Sequence, residues 1–83
     1  MQICKVVGTV IATRKHEQLT GCRFLIVAPL NSKTTFVAAD HIGAGVDETV
    51  LVVNGCTARL ACGHDQIPVD AAVVGIVDEG CSI

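Results

Sequence analysis

Tryptophan and tyrosine are absent from this chain, and Phe24 and Phe36 are its only large aromatic residues among 83. A core built from this sequence therefore has to be packed from Val, Ile, Leu and Ala. The same scarcity weighs against nucleic-acid binding, because single-strand binders stack bases on aromatic side chains along a positive groove. Six basic residues face eight acidic ones, for a net charge of −2. The basic residues are scattered and form no stripe suited to phosphates. No nucleic-acid partner is expected.

Long apolar runs are missing too. The stretch from Ala71 to Val77 is far shorter than the roughly 20 residues of a membrane-spanning helix. "MQICKVVGTV" has no continuous apolar centre or small-residue cleavage site, so it does not read as a secretory signal. The sequence points to a cytosolic protein with no membrane partner. Its five cysteines, Cys4, Cys22, Cys56, Cys62 and Cys81, include no C-x-x-C pair. That spacing suits neither a zinc ribbon nor a redox dithiol, and reduced thiols are the expectation. "GAG" in "HIGAGVDE" lacks the G-x-G-x-x-G continuation and the helix of a dinucleotide loop. No cofactor is expected.

What the chain does have is aliphatic bulk. Half of it (51%) is apolar, yet a chain of this length buries only about 60–65% of its unfolded surface. So much apolar surface on so small a body, with no disulfides to help, argues for contacts between subunits.

Residues 1–83 read as one domain. "QICKVVGTVIAT" (2–13) is rich in β-branched residues and predicts a long first strand, with Gly8 marking a bulge or bend. "RKHEQLTG" is a polar loop. "CRFLIVAPL" (22–30) and "TTFVAAD" (34–40) predict two strands joined by the compact "NSK" as an antiparallel hairpin. Gly43 and Gly45 punctuate the connection "HIGAGVDE", where they are expected to supply unusual backbone angles. "TVLVV" (49–53) predicts a fourth strand covered on both sides. "CTARLAC" (56–62) suits one or two helical turns with Cys56 or Thr57 as N-cap. "VDAAVVGIVDEG" (69–80) predicts the last strand, bent at Gly75. The expected architecture is all-β: a five-stranded, OB-like barrel with one short helical turn before the last strand.

The densest chemistry lies in "NGCTARLACGH". Cys56, Cys62 and His64 are candidate metal ligands, but C-x5-C-x-H lacks the tight ligand pairs of zinc sites. Cys56 at a helical turn with His64 as base and Asp65 as orienter is the corresponding nucleophile reading. Both are weaker than a structural reading of the turn, so no metal is expected. Asp40-His41 falls at a strand end, where an aspartate usually caps the turn. Arg59 is placed to reach a carboxylate or backbone carbonyls, with a subunit interface favoured.

Three segments together resemble the EutN/CcmL family of bacterial microcompartment vertex proteins: "VVGTVIATRKHEQLTGCRFLIV", "VAADHIGAGVDETVLVV" and "GCTARLACGHDQIPVDAAVVGIVDEG". The resemblance runs through nearly the whole chain in the right order. It implies an OB-like barrel assembled as a homopentamer, a non-enzymatic cap for the vertices of a polyhedral shell, with hexagonal shell proteins as partners in the cytoplasm. Gly55, Ala58 and Arg59 match the family's G-x-x-A-R turn. Asp40, Gly43, Ala44 and Gly45 match its loop. Pro68, Val69, Asp70, Gly75, Ile76, Val77 and Asp78 match its last strand. The resemblance places Gly55, Cys56, Thr57, Ala58 and Arg59 at the subunit interface near the five-fold axis. Cys56 and Thr57 stand where the family usually has serines.

Overall fold

The computed structural model describes residues 1–13, 15–63 and 66–78. Five strands and one helix follow in the order β1 (Gln2–Val10), β2 (Arg23–Pro29), β3 (Phe36–Asp40), β4 (Thr49–Asn54), α1 (Cys56–Ala61) and β5 (Ala71–Ile76). The strands close into a barrel in the order β1-β2-β3-β5-β4. All pairings are antiparallel except β3 with β5, which run parallel over two residue pairs, Ala39 with Ala72 and Asp40 with Val73. This is the expected barrel with its helix before the last strand.

Alternation places one side of each strand inside. Cys4, Val6, Leu25, Val27, Ala38, Val50, Val52, Ala71 and Val73 form the barrel core, with Phe36 packed against them. Each fully buried Val or Leu contributes about 1.5–3 kcal/mol, so aliphatic packing substitutes for the missing aromatics. A second cluster lies outside the barrel wall: Val53, Ala58 and Ala72, with Cys62, Val69 and Val74 against it. It covers Val53 at the end of β4, whereas the outward Thr49 and Leu51 stay half-buried, so the strand expected to be covered on both sides is fully covered only at that end.

The bulge expected at Gly8 is present, because the β1–β2 register shifts between Val6 and Gly8. A second shift falls opposite Leu51 and Val52, beside Gly75. The strand ends differ from expectation. β1 stops at Val10, three residues early, and β5 covers only Ala71–Ile76. The β2–β3 link spans six residues, 30–35, rather than "NSK" alone. In the polar loop, Glu17–Leu19 form a 3-10 turn that the sequence did not announce, and the His16 Nδ1 accepts from the Gln18 amide at 3.1 Å.

Candidate assembly surface

Two of the three sequence-derived groups of residues are structural corners of the barrel. Asp40 closes β3 with its side chain fully buried. Its Oδ1 accepts from the Ile42 and Gly43 amides at 2.9 and 3.1 Å, and its Oδ2 accepts from the Ala44 amide at 3.0 Å. Arg23 donates to Asp40 Oδ2 and to the Ala44 carbonyl, each at 3.4 Å. The carboxylate thus folds the loop back so that Ala44, fully buried, joins the barrel core. His41 turns away, to 3.6 Å from the Cys22 thiol. Asp40-His41 is therefore a turn cap and not an acid–base pair.

Gly43 has φ +100, which favours glycine as expected. Gly45 does not: its angle is ordinary, and Asp47 instead takes the left-handed conformation at φ 75. Gly45 is contacted instead by the Glu48 side chain. Its amide donates to Glu48 Oε1 at 2.6 Å, and an added Cβ would meet that oxygen at 3.3 Å.

The turn Gly55–Arg59 is the second corner. The N-cap of α1 is Gly55, at φ 71, rather than Cys56 or Thr57. The chain leaves β4 so sharply that the entry residue needs a positive φ, which a β-carbon disfavours. Thr57 points its hydroxyl back to the Asn54 carbonyl at 2.8 Å. The Gly55 amide donates to the Asp70 carbonyl at 2.8 Å, which ties the start of α1 to the start of β5. Ala58 is the buried residue of the helix, wedged against Val53 and Ala72. Cys56, Arg59 and Leu60 are exposed, Leu60 by 69%. Arg59 has no hydrogen-bond or ion-pair partner among the described residues; the ion pair found there is Arg23–Asp40.

This geometry separates the proposed metal ligands. Cys56 is exposed at the first position of α1, whereas Cys62, at its end, packs against the second cluster. Burial pushes the Cys62 thiol above its ordinary pKa, with a further contribution from the nearby Cys22. Burial likewise raises Cys4. His64 and Asp65 lie outside the described residues. Among the described residues, no three His, Cys, Asp or Glu side chains group as metal ligands.

Of the last-strand residues, Pro68 and Asp70 precede β5 and are exposed, and Asp78 follows it, also exposed. Gly75 sits in β5, where a β-carbon would rest against Leu51 at 3.6 Å. Pro68, Val69 and Asp70 line a groove of about 140 Å³ with Phe24, Val37 and Ala39. A larger cleft of about 400 Å³ runs along Thr9–Ala12, Lys15 and Cys22–Phe24. Sequence reasoning missed both. The signal available for the larger cleft was the uncharged run from Val6 to Thr13.

The family described as "Ethanolamine utilisation protein EutN/carboxysome" matches residues 1–78. The bacterial microcompartment shell vertex protein GrpN of Rhodospirillum rubrum is 47% identical, covering 94% of this chain and 93% of its own length. The carboxysome shell vertex protein CcmL of Synechocystis is 46% identical, covering 94% of this chain and 83% of its own. A solved structure described as the pentameric microcompartment shell protein GrpN of Rhodospirillum rubrum superimposes with a TM-score of 0.87 at 41% identity, covering 100% of both chains. None of these relatives is named as a thiol or metal-site protein or a nucleic-acid binder, and neither alternative gains support. With its barrel, its helix and the G-x-x-A-R turn all in place, the chain belongs to the EutN/CcmL family of microcompartment shell vertex proteins.

Proposed function

We propose that five copies of this chain close into a ring that caps the vertices of a polyhedral shell in the cytoplasm, with hexagonal shell tiles as its neighbours. Its role is geometric rather than enzymatic. Six-fold tiles extend as a flat sheet, and a five-fold tile in place of a six-fold one forces the sheet to curve and close. A ring is a head-to-tail assembly, so each subunit offers two different faces to its neighbours.

The observation that carries this reading is the imbalance of α1. Ala58 is the buried residue of the helix, while Arg59 and Leu60 stand in solvent, one a charge without a partner among the described residues and the other a large apolar side chain. A neighbouring copy would meet both needs. The small Gly55 lets backbones approach, and Arg59 would tie them by charge-assisted hydrogen bonds.

Native mass spectrometry at low micromolar concentration tests it. The wild-type chain is expected as a pentamer, and Arg59→Ala is expected to shift mass toward smaller species. An Arg59→Ala pentamer that persists on dilution removes this residue from the interface. Mixing the chain with hexagonal tiles tests the partner: electron microscopy should show closed shells with it and open sheets or tubes without it.

A further inference from the structure

Asn54 and Gly55 form the asparagine–glycine pair of this chain, a chemically labile combination. In a free chain the glycine amide nitrogen attacks the asparagine Cγ, the side-chain nitrogen leaves as ammonia, and a cyclic succinimide forms. Water then opens the ring at either carbonyl, giving aspartate or isoaspartate, with no oxidant or other co-reactant. Glycine favours the attack because it has no β-carbon to shield its nitrogen or restrict its rotation.

Nothing crowds the pair here. Asn54 is exposed, and no atom lies within 4 Å of a β-carbon placed on Gly55. Yet each group that must move for the ring to close is held by a hydrogen bond. The attacking Gly55 amide donates to the Asp70 carbonyl at 2.8 Å. On the other side of the same peptide unit, the Asn54 carbonyl accepts from the Thr57 hydroxyl at 2.8 Å. The side chain under attack is tied as well, because Asn54 Oδ1 accepts from Gln2 Nε2 at 2.8 Å. Asn54 also ends β4, paired with Ala71 of β5, and an extended backbone turns the next nitrogen away from Cγ. Succinimide formation therefore requires a local opening that frees the peptide unit and the side chain together.

We infer that Asn54 is a latent deamidation site, kept as the amide by a clasp of Gln2, Thr57 and the Asp70 carbonyl, and converted when that clasp opens. The two products differ in consequence. Aspartate leaves the main chain unchanged and adds a negative charge. Isoaspartate inserts a methylene into the main chain between β4 and α1, where Gly55 already takes φ 71, and so displaces Ala58 from Val53 and Ala72. All three bonds lie within one subunit, so the inference does not depend on the ring.

The test incubates the full chain at neutral pH, folded and in guanidinium. Peptide mass mapping follows the amide-to-acid gain at Asn54 separately from Asn31, the other asparagine. Asn54 is expected to convert more than about tenfold faster in the unfolded chain than in the folded one. Gln2→Ala and Thr57→Val each remove one bond of the clasp, and each should raise the folded rate about two- to tenfold while leaving the unfolded rate unchanged. Thr57→Ser keeps the hydroxyl and should keep the slow rate. Arg23→Ala, which loosens a different corner of the barrel, should leave the Asn54 rate where it is. Equal folded and unfolded rates in the wild type would overturn the inference. So would Gln2→Ala and Thr57→Val chains that are folded by circular dichroism and convert no faster than wild type. An Arg23→Ala chain that speeds up as much as either would assign the protection to overall stability and overturn the clasp.

Discussion

The Asp40 carboxylate accepts three backbone amides and an arginine within one corner. A buried acceptor so fully used is expensive to remove, since each amide left unsatisfied costs about 1–3 kcal/mol. Asp40→Ala is therefore expected to lower unfolding stability by about 3 kcal/mol and to release Ala44 from the barrel end. Arg23→Ala should cost less than about 1 kcal/mol, because its side chain is 55% exposed and its contact is screened by water. Urea denaturation at one fixed protein concentration checks both, since an assembled protein gains stability with concentration. Equal losses at the two positions would contradict this account of the corner.

At the scale of elements, α1 is a six-residue helix that owes its place to its flanks rather than to propensity. Gly55 supplies the reversal out of β4, Ala58 fills the space over Val53 and Ala72, and the Asp70 carbonyl receives the Gly55 amide. No atom lies within 4 Å of a β-carbon added at Gly55, so the penalty there is conformational and not steric crowding. Gly55→Ala is expected to cost about 1–3 kcal/mol in thermal or urea unfolding, because φ 71 with ψ −145 lies in a region essentially confined to glycine. The variant should still fold, and a loss several times larger would mean that the neighbouring copy also needs the missing methyl group's space. Comparing monomeric and assembled samples separates the two contributions.

For the whole molecule, the aliphatic core includes one titratable group, Cys4, which is fully buried. Burial raises its pKa, so the folded chain holds a proton that the unfolded chain releases. The sign follows from linkage. Below the ordinary thiol pKa, near pH 8.5–9, both states are protonated and the contribution is complete. As pH rises above that value toward the higher folded-state pKa, the unfolded state gains by ionising and stability falls. Unfolding measured from about pH 8 to 10 should show this decline in the wild type and a shallower one in Cys4→Ala. Cys62, raised in the same direction, adds to the same alkaline loss. Identical slopes in wild type and Cys4→Ala would rule out Cys4 as a source.

The sequence by itself determined the strand count, the helix before the last strand, the aliphatic core and the need for a partner. These follow from alternation, β-branched content and the ratio of apolar bulk to chain length, all local or compositional quantities. The capping role of Asp40 was legible for the same reason, since the amides that donate to it lie two to four residues away. The N-cap was misread because Cys56 and Thr57 were weighed as acceptors, whereas the exit angle from β4, set by barrel curvature, required a glycine one residue earlier. Gly45 was misread too: its backbone angle is ordinary, and the left-handed residue of this loop is Asp47, two positions on. Only the tertiary structure decided where the barrel leaves strand edges unpaired. Closure brings β3 beside β5 for just two residue pairs and carries β1 past the reach of β4. Those gaps depend on register between segments distant in the chain, which no local pattern encodes.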